Sequence, residues 1–180
     1  MLLSATMPKK ILNLANKYME YEYVETQDKP KTKQKYKLVK DHERFKELCS
    51  VMRNYKFGII FCRTKKEVKE ISKKLKERKF KVEAIHGDLS QKQRERVIKK
   101  FKNKKVDYLV ATDVVSRGID VNNLEVVINY NVPQNVETYL HRIGRTGRME
   151  KEGLAITLIN KFEKRFIYKI MERNQNIERW

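Results

Sequence analysis

Gly58–Cys62 reads G-I-I-F-C, five uncharged residues, followed by R-T-K (Arg63–Lys65) and then a Lys/Glu-rich stretch to Lys79. A short, continuous apolar run is the pattern of a strand buried on both faces. Val68, Ile71 and Leu75 then recur at the spacing of a helix with one apolar stripe. The same strand–loop–helix unit returns along the chain. Val82–Ile85 predicts a strand, and Ser90 a cap for a helix reaching about Lys102. Tyr108–Ala111 and Val126–Asn129 are further β-rich runs, and Leu154–Ile159 precedes a closing helix over about Phe162–Glu172. Upstream, Tyr36–Val39 predicts an edge strand and His42–Met52 a helix. Strands alternating with helices imply right-handed βαβ crossovers. The expected fold is α/β, a mainly parallel sheet with helices on both faces.

A length of 180 residues suits one domain with a real core. Lys and Arg number 42 against 23 Asp and Glu, a formal charge of +19. Such a field favours polyanions, RNA or DNA first, although a merely soluble basic surface has the same totals. Cys49 and Cys62 are too few and too far apart for a disulfide framework or a four-cysteine metal site. Both sit in apolar contexts and read as core thiols of a reducing compartment. No apolar run reaches the length of a membrane span and the start lacks a signal-peptide pattern, which predicts a cytoplasmic protein. Met1–Pro8 is apolar, then rich in small and hydroxyl residues, and leads into a helix to about Tyr18. So abrupt a beginning reads as a piece of something longer. Glu20–Lys35 turns polar and Lys-rich around Pro30, the composition of a linker or an extended crossing segment.

In parallel sheets ligands lie beyond the carboxyl ends of the strands. The segments there are R-T-K, H-G-D (His86–Asp88) and T-D-V-V-S-R-G-I-D (Thr112–Asp120), and the expectation is that Arg145 and Arg148 join them on one edge. Tyr139–Arg148, Y-L-H-R-I-G-R-T-G-R, sets Arg142, Arg145 and Arg148 three apart with Gly144 and Gly147 between. Guanidiniums so crowded call for an anion opposite, and their fork suits phosphate oxygens. In Thr112–Asp120, hydroxyls suit phosphates and carboxylates suit ribose hydroxyls, and the same residues also suit ordinary helix capping. Gln91 and Arg94 share a face at a helix start, where anions are attracted. None of the six glycines opens a phosphate-cradling G-x-x-x-x-G-K-[ST] loop. Arginines suited to a transferring phosphoryl therefore stand without the machinery that holds a nucleotide.

These words in this order resemble the DEAD-box ATP-dependent RNA helicases: S-A-T at Ser4–Thr6, I-I-F-C-R-T at Ile59–Thr64, I-H-G-D…Q-K-Q-R at Ile85–Arg94, A-T-D-V-V-S-R-G-I-D at Ala111–Asp120 and H-R-I-G-R-T-G-R at His141–Arg148. The resemblance spans essentially the whole chain. It implies a three-layer RecA-like C-terminal domain over residues 36–180, an interdomain linker over 20–35, and the tail of the N-terminal RecA-like domain over 1–19. It also implies that ATP, with Mg²⁺ held mainly by the absent N-terminal domain, and single-stranded or duplex RNA bind across the two domains. Arg145 and Arg148 would be arginine fingers, with His141 and Arg142 on the interdomain face. Asp120 would contact the ATP ribose, Gly118 allow close approach and Arg117 brace the loop. Thr64, Gly87, Arg94 and Thr112 would hold the RNA backbone with Gln91 in support, and Ser4 and Thr6 would couple hydrolysis to strand separation. The fragment alone is expected to lack ATPase activity. Asn131 stands where the family commonly has Asp. Two rival readings remain at this point, a stand-alone RNA-binding module and a translocating DNA helicase of the same fold.

Overall fold

Seven strands form in the computed structural model: β1 Thr32–Leu38, β2 Gly58–Phe61, β3 Val82–Ile85, β4 Tyr108–Ala111, β5 Val126–Asn129, β6 Gly153–Ile159 and β7 Ile177–Arg179. The structure describes residues 9–18, 32–113, 121, 124–147, 152–173 and 176–180. All seven strands lie in one sheet, in the order β3-β4-β2-β5-β6-β1-β7, and every pair is parallel. Strands β2, β4 and β5 are buried throughout, as their uninterrupted apolar sequences require.

The helices are α1 Lys9–Tyr18, α2 Arg44–Asn54, α3 Lys65–Glu77, α4 Gln91–Lys102, α5 Val136–Ile143 and α6 Lys164–Met171. Alternate residues of a strand point to opposite faces, so the sheet has two cores. Ile59 and Phe61 of β2 pack with Phe101 of α4, Tyr139 and Ile143 of α5 and Ile167 and Ile170 of α6. Ile60 packs with Leu48 and Met52 of α2 and Val68, Ile71 and Leu75 of α3 on the other side. Three layers result, and the expected RecA-like architecture is the one observed. Each fully buried Leu, Ile or Phe contributes about 1.5–3 kcal/mol relative to exposure. Both cysteines are buried and free, and burial raises both thiol pKa values.

Two elements differ from expectation. Strand β1 starts at Thr32, inside the stretch read as linker, and it is interior, flanked by β6 and β7. Its first buried positions carry hydrogen-bonding side chains in place of apolar ones. Thr32 Oγ1 donates to the Thr146 carbonyl at 3.1 Å, and Tyr139 Oη donates to Gln34 Oε1 at 2.9 Å. A strand buried through hydrogen bonds hides from a hydrophobic pattern. Strand β7 has three residues, I-E-R, too few to show a period. It forms because β1 offers an unpaired edge, and the Trp180 N–H extends the pairing to the Tyr36 carbonyl at 2.8 Å.

Candidate functional site

Because the sheet is parallel, the loops leaving β2, β3 and β4 emerge at one edge, and each opens into a helix. Thr64 caps α3 in a reciprocal capping box with Glu67, and Ser90 caps α4 in another with Gln93. Thr64, Gly87 and Gln91 are exposed there, while Arg94 and Thr112 are half-buried. Lys65 and Lys69 of α3 both reach Asp88 at 2.8 Å and tie the first loop to the second. Those two bonds hold the Asp88 carboxyl down to about 2. Arg94 donates to the Gly87 carbonyl at 3.2 Å, and the Gln91 amide donates to Glu95 Oε1 at 2.9 Å. A Cβ added to Gly87 would meet nothing within 4 Å, so the protein itself does not need glycine here. Among the described residues His86 Nδ1 and Arg94 Nε, both buried, have no hydrogen-bond partner. Burial, reinforced by Lys69, lowers the His86 pKa.

Arg142 departs from expectation. It is 2% exposed, directed inward from α5 in place of facing a partner domain. Its Nε and Nη2 grip the Asp113 carboxylate at 2.5 and 2.8 Å. Its Nη1 donates to Asn129 Oδ1 at 2.9 Å and to the Asn131 carbonyl at 3.0 Å, and the guanidinium lies 4.9 Å from the Phe61 ring centre. A guanidinium so enclosed has to be neutralised and bonded, and Asp113 and the two asparagines do both. Asn129 is held in turn, donating to Thr157 Oγ1 at 3.1 Å. Neither Asp113 nor Asn129 stood out from sequence. The available signals were a carboxylate directly after a buried strand and an amide closing the apolar run V-V-I-N.

Asn131 explains the family departure. Its Oδ1 accepts from the Arg63 N–H at 2.9 Å, and its Nδ2 donates to Glu67 Oε1 at 3.0 Å. An aspartate could accept the first bond but would meet the Glu67 carboxylate at the second.

Arg145 does not join that edge. Helix α5 runs back across the sheet and delivers the following turn to the amino ends of β5, β6 and β1. Leu124, two residues before β5, bridges to Thr146, and its N–H reaches the Arg145 carbonyl at 3.3 Å. Thr146 Oγ1 donates to the Leu124 carbonyl. Gly147 adopts φ 69°, and a Cβ on Gly153 would strike Thr146 and Gly147, so glycine is required on both sides of the turn. Arg145 is half-buried, as is His141 in the last turn of α5. The expectation of one shared edge is thus corrected: the crossover helix divides the candidates between opposite ends of the strands. Ser4, Thr6, Arg117, Gly118, Asp120 and Arg148 lie outside the described residues.

Residues 40–150 match the helicase conserved C-terminal domain. The chain is 52% identical over 165 residues to a probable ATP-dependent RNA helicase of Methanocaldococcus jannaschii, covering 91% of this chain and 45% of that protein. The crystal structure of a DEAD box protein from Methanococcus jannaschii superposes with a TM-score of 0.81 at 49% identity, over 98% of this chain and 50% of that one. Saccharomyces cerevisiae Dbp5 bound to RNA and ADP BeF3 gives 0.87 at 30% identity, over 98% and 50%. The separate C-terminal domain of the DEAD-box protein Dbp5 gives 0.76 at 31%, over 83% and 90%. The chain spans about half the length of the full-length relatives it matches.

Proposed function

The chain belongs to the helicase conserved C-terminal domain family, in its DEAD-box branch, and from that premise we propose that it supplies the second half of an RNA-dependent ATPase site. The chain from Thr32 onward is the C-terminal RecA-like domain, preceded by an interdomain linker and the tail of an N-terminal RecA-like domain that binds in cis. Thr64, Gly87, Arg94 and Thr112 contact the sugar–phosphate backbone of RNA at the carboxyl edge of the sheet. Arg145 and Arg148 reach the γ-phosphate of ATP from the other side when the two domains close, and they stabilise charge on the transferring phosphoryl. Asp120 receives the ribose.

The observation that carries this reading is the Arg142 clamp. Asp113 is the neighbour of Thr112, and Arg142 precedes Arg145 by three residues on the same turn of chain. One fully bonded guanidinium therefore joins the proposed RNA contact to the proposed phosphate contact, the mechanical link that RNA-stimulated hydrolysis requires.

ATP turnover, with and without single-stranded RNA, tests the proposal. The chain alone should be silent, and mixing or fusing it with a P-loop-bearing N-terminal half should give RNA-stimulated turnover. Turnover by the isolated chain would overturn the half-site reading.

A further inference from the structure

At the amino ends of β3 and β4 the chain collects a second set of cations. The β3 approach, Arg78–Lys81, packs directly on the β4 approach, with the Asp107 N–H bonded to the Lys81 carbonyl at 2.8 Å. Lys76, Lys79, Lys81, Lys100 and Lys105 surround an open cleft of about 380 Å³. Glu83 neutralises Lys76 and Lys100, at 2.9 and 2.7 Å. Lys79, Lys81, Lys104 and Lys105 are exposed and form no ion pair among the described residues. Glu77 and Asp107 are the other acidic groups of these two approaches.

Lysines in the last turns of α3 and α4 have a local explanation, since cations are favoured where a helix dipole ends. That account does not reach the loops beyond. Nor does it explain the backbone. Lys79 (φ 65°) and Lys104 (φ 55°) are the only non-glycine residues with positive φ among the described residues. Both follow a helix end, the position at which glycine or asparagine relieves the strain of a β-carbon. Two neighbouring helices ending in this strained way, each with lysine, point to a use for the side chain that outweighs the backbone cost.

We propose that this surface is a second phosphate-binding site, which takes the backbone of an RNA segment other than the one held at the carboxyl edge. The length of β3 and β4 separates it from Gly87 and Thr112, and two to three strand spacings, about 10–14 Å, separate it from β5 and the Arg145 turn. A single strand lying on the carboxyl edge does not cover it. Its occupant is a duplex continuing from that strand, matched to the exposed lysines by charge. The patch has phosphate-seeking lysines, and its one aromatic, Phe80, is half-buried against the core, so it reads charge and not sequence. The inference rests on the reading that RNA is the partner, and the experiment separates the two.

Binding of this chain to a short RNA single strand and to a long RNA duplex with a single-stranded overhang is measured over a range of salt. Lys79→Gln/Lys81→Gln/Lys105→Gln should weaken the long substrate at least about tenfold and reduce its log–log salt slope by about 2–3, near 0.9 per lost phosphate contact. Short-strand binding should stay unchanged. Equal affinity and slope for the long substrate would overturn the inference, as would displacement of the duplex by polyglutamate as readily as by RNA. Failure of the unsubstituted chain to bind either RNA would instead strike the function proposed above. A second variant, Lys79→Gly/Lys104→Gly, relieves the strained backbone. It should raise the denaturation midpoint while weakening the duplex complex, and a stability gain with unchanged duplex affinity would count against the site.

Discussion

At the carboxyl edge, the loops after β2 and β3 are secured by residues three positions away, Thr64 with Glu67 and Ser90 with Gln93. At the amino edge, the turn holding Arg145 is secured by Leu124, 22 positions from Thr146, and by Thr32, 114 positions away. The first arrangement leaves Thr64 and Gly87 exposed at the edge, where a backbone can approach. The second locks one turn against three strands. A group that stabilises a transferring phosphoryl gains from being held before the reaction, whereas loops that follow a flexible polymer gain from local anchorage. The difference in how the two edges are held matches the two tasks proposed for them.

The comparison can be broken most sharply at Arg145. In the full-length protein, Arg145→Ala should lower ATP turnover about 10³-fold while RNA affinity changes little; a kcat within a few-fold of the parent would remove the finger assignment. Next comes the clamp between the edges. Asp113→Asn leaves the buried Arg142 without its counter-charge and should cost about 3 kcal/mol in chemical denaturation. An unaltered midpoint would show that the two asparagines suffice. Asn131→Asp sets a carboxylate against Glu67 and should cost about 1–3 kcal/mol, with most of the loss recovered in a double variant carrying Glu67→Gln.

At the carboxyl edge itself, Gly87→Ala should leave stability within about 0.5 kcal/mol, because the added methyl meets no protein atom. RNA affinity should nevertheless fall about tenfold, near 1.4 kcal/mol. Intact affinity would mean that the backbone of RNA does not approach this residue. The smallest effect belongs to His86. Its folded-state pKa lies below the ordinary 6.5, so the unfolded chain binds more protons at mildly acid pH. Stability should therefore decline as pH falls below about 6.5, and His86→Gln should flatten that decline in denaturation curves taken across the range.

Much of this was readable in advance. Strands β2 to β5 and helices α3 and α4 were legible because their signals are local, with uninterrupted apolar runs, one apolar stripe per helix, and caps three residues from their partners. The motif words point to the family, and the site residues proposed above rest on the same words. β1 was misread in extent because Thr32 and Gln34 are buried by hydrogen bonds, which no hydropathy pattern registers. Equal spacing of Arg142 and Arg145 in the sequence conceals that the first guanidinium turns into the protein.

The sequence by itself determined the α/β class, the periodic elements, the basic charge and the vocabulary of the site, since each follows from neighbours within a helical turn or a strand. Tertiary structure alone decided that Arg94 and Arg145 occupy opposite edges, that Asp113 and Asn129 hold Arg142, and that two loops of lysine abut to form one surface. Those outcomes depend on contacts between residues tens to more than a hundred positions apart. Their energies arise only when the crossover helix has packed and water has left the sites between the strands.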